Sequence, residues 1–377
     1  MQWSGYYKLF TVLLLALVCH YSLEAQVDTT GSITTKDIFS GGIGLQHGFI
    51  FAHSEAVENT KGSNPTGVEA ILSWQRADSA IWNLCNCFPR KGLLLSYYDY
   101  DNRVLGKSIS AAYFLEPSYM LSRNAFFAFK GAAGLSYLTN PFDSLKNPGN
   151  RSYSSNINAY LLLGLGLWFR LGDQWWLNTS INYQHESNGG LREPNKGVNW
   201  PTAGFALSYQ RDNRPYYTGG RTRQKFWIGR PARWDATLFG IARRDLDERG
   251  QSRRLPLVGG AVQGARQVGR ISNLTLGVEG YYDEELRLQL KRDSIDASPV
   301  KAGLLAGHEF ILGKFLFTQQ LGMYVFDQTP YYDRLYHRWG LQYRTGRIGI
   351  GLNLKAHRQV ADFADLRVSY SVCKENR

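Results

Sequence analysis

The chain has 377 residues, a formal net charge of +12, 14% aromatic side chains including 23 Tyr and 10 Trp, 39 Gly and a mean hydropathy of −0.32. That length suits one large barrel or two ordinary soluble domains, and beyond the N-terminal segment no long uncharged apolar run offers a transmembrane helix. The polar mean does not argue against a membrane protein, because every second residue of a transmembrane barrel strand faces a polar lumen. The positive charge suits phosphorylated lipid head groups, and no binding motif for nucleic acid accompanies it, so nucleic acid is not an expected partner.

Residues 1–25 read as a secretory signal peptide: Lys8 gives the positive start, 9–19 the apolar core, and Leu23-Glu24-Ala25 a cleavage site before Gln26. Cys19 follows Leu17-Val18 and not a small residue, which speaks against a lipoprotein signal. Residues 26–38 form a polar leader. Cleavage leaves Cys85, Cys87 and Cys373, an odd number that is no disulfide framework. Cys85-Asn86-Cys87 has no His or third Cys nearby and reads as local structure.

From residue 39 onward the chain reads as strands bounded by turn residues. The candidates are 41–53, 67–76, 91–100, 108–115, 125–138, 157–169, 175–187, 199–210, 234–242, 256–266, 271–281, 302–311, 315–325, 335–344, 348–356 and 361–371. Several alternate cleanly, as where Ile348, Ile350, Leu352 and Leu354 oppose Gly349, Gly351, Asn353 and Lys355. Bacterial barrels pair short periplasmic turns with longer external loops. Tight turns at Gly172, Gly269, Gly313 and Gly346 all follow even-numbered strands, whereas the long connections 54–66, 139–156, 187–198 and 326–334 follow odd ones. The expected fold is all-β: an antiparallel transmembrane β-barrel of roughly 12–16 strands over residues 39–377. Two long segments, 77–90 and 211–233, break the rule and read as a miscount, as periplasmic plugs or as small helices. Residues 211–377 are expected to enlarge the barrel begun by 39–210, with a second barrel as the alternative.

The hairpin from Gln174 to Gln210 is the most informative stretch. Trp175, Leu177, Thr179, Ile181 and Tyr183 share one parity, and Trp176, Asn178, Ser180, Asn182 and Gln184 the other. Because strand side chains alternate with period two, one face is mainly apolar and the other mainly polar. The apolar parity runs on into His185 and Ser187; on the return strand Phe205, Leu207 and Tyr209 lead back to Asn199. Three polar residues therefore stand on the apolar faces at the mouth of one hairpin, a costly placement unless it is used.

The run His185-Glu186-Ser187-Asn188-Gly189-Gly190-Leu191, followed by Pro194-Asn195-Lys196-Gly197, resembles the signature of the acyloxyacyl hydrolases, the lipid A 3-O-deacylases of outer membranes. The resemblance is close from Gln184 to about Phe205 and elsewhere extends only to the barrel pattern. More distantly, the His-x-Ser-Asn-Gly core with Asn199 fourteen residues after the His is similar to outer-membrane phospholipase A. The best-known deacylases carry Glu where this chain has Asn199, and the phospholipase carries a calcium-holding Arg where this chain has Gly190.

The resemblance implies a serine esterase of the outer membrane, with its site at the external leaflet and lipid A or phospholipid as substrate. Residue types agree with that chemistry. A serine hydroxyl needs a base, and His185 stands two residues from Ser187 on the same strand face. The imidazole needs an orienting acceptor, for which Asn199 is the candidate and mid-loop Glu193 the substitute; Glu186 has the wrong parity. Asn188, Gly189 and Gly190 are the expected oxyanion donors. His47 and His53 share parity but lack a nucleophile partner, and the scattered His308, His337 and His357 read as structural. No metal-ligand spacing, phosphate-binding loop or dinucleotide fingerprint is present, so neither metal nor cofactor is expected. The rivals are a phospholipase A with the same triad and a non-catalytic porin-like barrel.

Overall fold

The computed structural model describes residues 37–372 apart from 213, 221–222, 247–251, 332 and 359. The expected signal peptide, the leader up to residue 36, and Cys19 and Cys373 lie outside the described residues. Each of the sixteen predicted strands is present, but they close into two rings of eight and not into one barrel.

The first ring is built from β1 (Ile38–Gly48), β2 (Thr66–Gln75), β3 (Arg90–Asp99), β4 (Lys107–Glu116), β6 (Ala125–Leu138), β7 (Ile157–Arg170), β8 (Trp175–Ser187) and β9 (Val198–Gln210). A short extra strand, β5 (Ser118–Ser122), pairs with the start of β6. Pro117 separates β4 from β5, since a proline cannot donate to the ladder. Antiparallel pairing of β4 with β6 and of β9 with β1 closes the ring, with Ile43 opposite Leu207 and His47 opposite Ala203. The predicted first strand, 41–53, is shifted: ladder pairing ends at Gly48, and 49–51 run on beside β9 through single backbone bonds.

The second ring follows chain order: β10 (Arg233–Leu246), β11 (Ser252–Gln267), β12 (Ser272–Asp283), β13 (Val300–Leu312), β14 (Phe315–Phe326), β15 (Leu335–Thr345), β16 (Ile348–His357) and β17 (Val360–Ser371). It closes on itself by pairing β10 with β17, Leu238 opposite Val368. The segment after residue 211 thus does not enlarge the first barrel. Once β9 has paired with β1, no strand edge is left to extend.

Closure also explains the two anomalous long segments. The first contains a helix, α1 (Ser79–Cys85), capped by the Asp78 carboxylate, which accepts from the Ala80 and Ile81 amides. Cys85 and Cys87 form a disulfide at its end. The second, 211–232, is the link between the rings, and part of it folds back under the first. Tyr216 packs against Phe88, Phe126 and Trp176 and donates its hydroxyl to Gln75 Oε1 at 2.9 Å. With Trp82 of α1, these aromatic rings fill the short-turn end of the first lumen. A second helix, α2 (Glu284–Arg292), lies between β12 and β13.

Side chains sort as strand alternation requires. Ile43, Leu45, Leu163, Ile181, Phe205 and Leu207 point outward and are exposed, forming an apolar belt. Inside the first ring Gln184 donates to Tyr98 Oη at 2.9 Å and Thr202 Oγ1 at 3.1 Å, while Glu69 accepts from Tyr98 at 3.2 Å. The second lumen is filled by ion pairs, among them Arg338 with Glu279 at 2.9 Å and Asp365 at 2.6 Å, and Arg233 with Glu309 at 2.9 Å. Among the described residues no helix is long and apolar enough to cross a membrane; barrels of this kind cross with strands.

The rings touch at both ends. Arg270, in the β11–β12 turn, donates to Asn83 O of α1 at 2.5 Å and to Gln224 O of the link at 3.0 Å. At the other end an ideal Cβ placed on Gly189 would stand 3.6 Å from Ala364 Cβ on β17.

Candidate active site

The β8–β9 ladder sets the site. His185 lies directly opposite Asn199, and Ser187 is two residues further along β8. Residues facing each other across an antiparallel pair have Cβ atoms only ~5 Å apart, and i, i+2 neighbours share a face. Register alone therefore gathers all three side chains. His185 Nδ1 is 2.7 Å from Asn199 Oδ1, and His185 Nε2 is 2.9 Å from Ser187 Oγ. Asn199 Oδ1 can only accept, so Nδ1 carries the proton and Nε2 is left to accept the Ser187 hydroxyl. That is the tautomer a base acting on Ser187 needs.

The parity argument holds on the structure. Exposed Ile181 (59%), Tyr183 (44%) and Phe205 (53%) share the outer face with His185 and Ser187, and Asn199, opposite His185, is buried. Glu186 points the opposite way, into the lumen, where Tyr100 and Ser110 donate to its carboxylate. It takes no part in the chain from Ser187 to Asn199.

The loop 188–197 differs from the expectation at the oxyanion position. Asn188 N–H donates to Asn195 Oδ1 at 3.0 Å, its side-chain amide to Arg192 O at 2.7 Å, and Gly190 N–H donates to Asn188 Oδ1 at 3.1 Å. Asn188 and Gly190 thus spend their donors inside the loop, because asparagine side chains compete well for nearby backbone groups. The Gly189 N–H alone of the three has no partner among the described residues. Glu193, the substitute orienter, is also placed elsewhere: its exposed carboxylate accepts from the Asn195 amide at 2.9 Å. Gly197 is required by space. Its φ is +78°, and a Cβ there would be 2.6 Å from His185 Cε1.

One residue set aside in the sequence for want of a nucleophile partner, His53, belongs to the cluster. Asn199 Nδ2 donates to His53 Nδ1 at 3.0 Å. The bond from Phe51 N to Asn199 O, at 2.8 Å, carries the chain after β1 alongside β9 and puts His53 there. Burial lowers the His53 pKa from its ordinary value, and the nearby Lys196 charge adds to this against the backbone bonds of Phe51 and Lys196, which raise it. The balance favours the neutral imidazole. No signal in the sequence links positions 146 apart; only the closure of β1 on β9 does. His47 does not join: its Nδ1 meets Thr66 Oγ1 at 2.9 Å. Among the described residues no group of three or more His, Cys, Asp or Glu is placed to hold a metal ion.

Closed antiparallel rings define the class, a β-barrel protein, and the first ring carries the hydrogen-bonded Ser187–His185–Asn199 chain on its outer wall. The profile of the lipid A 3-O-deacylase (PagL) family matches residues 71–210, and that of the acyloxyacyl hydrolase C-terminal domain matches residues 232–375, one profile on each ring. The chain belongs to the acyloxyacyl hydrolase, or lipid A 3-O-deacylase, family of outer-membrane β-barrels. Among solved structures, that of the outer membrane enzyme PagL is 17% identical, covers 44% of this chain and 97% of its own, and has a TM-score of 0.33. The Pseudomonas putida toluene transporter TodX is 10% identical over 89% of each chain, with a TM-score of 0.19. The β domain of the Bordetella autotransporter BrkA is 10% identical, covers 89% of this chain and 98% of its own, and has a TM-score of 0.24. A search of the curated proteins finds no match.

Proposed function

We propose that this protein is a serine esterase that removes an ester-linked acyl chain from lipid A, acting from the outer wall of its first barrel at the external leaflet. The observation that carries the reading is the unbroken hydrogen-bond chain from Ser187 through His185 to Asn199, set on the same face as Ile181 and Phe205. Ser187 attacks the ester carbonyl as His185 Nε2 takes its proton; the ester C–O bond then breaks and His185 returns that proton to the leaving alkoxide oxygen, giving the free hydroxyl and an acylated Ser187. Water, activated by the same base, releases the fatty acid from Ser187. Of Asn188, Gly189 and Gly190, the Gly189 N–H is the backbone donor left for the developing oxyanion. External placement is supported by the loop lengths, since the site stands at the end where the longer connections lie.

The neutral orienter favours a second reading, hydrolysis of glycerophospholipids, because Asn at this spacing is shared with outer-membrane phospholipase A. Mass spectrometry of lipids from cells producing the protein or its Ser187→Ala variant tests both. Loss of one acyl chain from lipid A, absent with the variant, is expected. Unchanged lipid A alongside Ser187-dependent lysophospholipid would select the second reading, and no Ser187-dependent change in either lipid would overturn the esterase.

A further inference from the structure

We propose that His53 is a positioning residue for the hydrolytic chain, holding the Asn199 amide so that its oxygen, and not its nitrogen, faces His185. This rests on the esterase reading above. It extends the chain to four members, Ser187–His185–Asn199–His53, drawn from β8, β9 and the segment after β1.

An asparagine orienter has a weakness that a carboxylate lacks. Its two ends are nearly the same size but opposite in hydrogen-bond sense. With Oδ1 toward His185, Nδ1 keeps its proton and Nε2 is a base. If the amide turns over, its NH2 faces Nδ1 and selects the other tautomer, with the proton on Nε2. His185 then donates to Ser187 and cannot take its proton. Something must fix the amide, and His53 Nδ1, 3.0 Å from Asn199 Nδ2, accepts from the end that points away from His185. With the His53 proton on Nε2, the turned amide would put its oxygen against the His53 Nδ1 lone pair, acceptor to acceptor. One hydrogen bond thus penalises the wrong orientation at both ends of Asn199.

The surroundings fit that role. Asn199 is 9% exposed, so water does not readily replace a missing acceptor at its amide nitrogen. The Phe51 N–H holds Asn199 O at 2.8 Å, tying the His53 segment to the orienter's own backbone. The backbone of Lys196 also bonds His53 and its ammonium lies near, and His185 is the other titratable group coupled to His53. Burial and the Lys196 charge oppose protonation of His53, which would replace its acceptor by a donor, while the backbone bonds of Phe51 and Lys196 act the other way. His53 also accounts for how a neutral residue serves where related enzymes use Glu: the orientation that a carboxylate has by symmetry is here enforced by a second imidazole.

The test uses the full-length protein in detergent or vesicles, with turnover of the ester substrate as readout and heat-modifiable migration as the check on folding. His53→Ala is expected to lower kcat by about tenfold to a hundredfold with little change in KM, less than the ~10⁴-fold fall that a wholly wrong tautomer brings to a triad hydrolase. His53→Asn, which offers an oxygen near the Nδ1 position, restores most of the rate, whereas His53→Phe does not. In an Asn199→Asp background, where both ends accept, adding His53→Ala costs less than about threefold, because the amide ambiguity is gone. The proposal is overturned if His53→Ala turns over at the wild-type rate, or if its loss is equally large beside Asp at 199. Both results presuppose wild-type turnover that Ser187→Ala abolishes. Without that turnover the esterase reading itself fails, which separates the two outcomes.

Discussion

His185 and Asn199 stand directly opposite each other across the β8–β9 ladder, joined by a 2.7 Å bond between Nδ1 and Oδ1. A cross-strand pair of this kind is positioned by two backbone ladders and not by a loop, so the imidazole is presented to Ser187 with little freedom to lose.

Asn199→Ala should therefore lower turnover, but by less than His185→Ala, because the third member of such a chain is the most dispensable of the three. Glu193→Ala should leave turnover near the wild-type rate, since its carboxylate is engaged with the Asn195 amide. Initial rates on micellar substrate check both. A dead Glu193→Ala enzyme with an unaffected Asn199→Ala enzyme would reverse the assignment.

Gly197→Ala should damage the site from outside it. The new methyl would press on His185 Cε1 at 2.6 Å in a left-handed backbone conformation that costs a non-glycine residue about 1–3 kcal/mol. We expect a fall in kcat of more than about tenfold, as base catalysis contributes ~10²–10⁴-fold and depends on placement. The barrel should still form, as shown by unchanged heat-modifiable migration. Full activity in Gly197→Ala would mean that the ring has room to move.

Ala364→Trp tests the contact between the rings. Ala364 stands against Gly189, the loop residue whose N–H is unspent. A bulky side chain there should displace the loop and reduce turnover, although residue 364 lies 177 positions from Ser187 in the sequence. If Ala364→Trp has wild-type kinetics with acyl chains of every length, the second ring does not bear on the site.

Arg338 should matter for stability more than for chemistry. It is fully buried in the second lumen between Glu279 and Asp365. Arg338→Ala leaves Glu279 and Asp365 with one fewer partner, and removal of one member of a buried ion pair costs about 3–5 kcal/mol. Limited proteolysis and thermal unfolding should show the second ring weakened first, with Ser187-dependent hydrolysis retained at moderate temperature. An unchanged melting profile would mean that Arg367, which also reaches Asp365 and Glu279, suffices to neutralise both.

The sequence by itself determined the strands, their faces and the Ser187–His185–Asn199 chain. These are local properties: period-two alternation is imposed by the pleat, His185 and Ser187 are two residues apart, and Asn199 returns on the next strand of one hairpin. The sequence also marked 77–90 and 211–233 as anomalous, without showing that one is a plug and the other a link. Only the tertiary structure decided that sixteen strands make two rings, because strands in one large barrel and in two small ones carry the same alternation. Which strands are neighbours at closure depends on long-range pairing, β9 with β1 and β17 with β10. The same closure brought His53 to Asn199, and packing between the rings brought Ala364 to Gly189. The loop donors were decided at that level too. Whether Asn188 faces a substrate or folds back on Arg192 and Gly190 is set by competition among hydrogen bonds in a folded loop, and residue type alone does not fix its outcome.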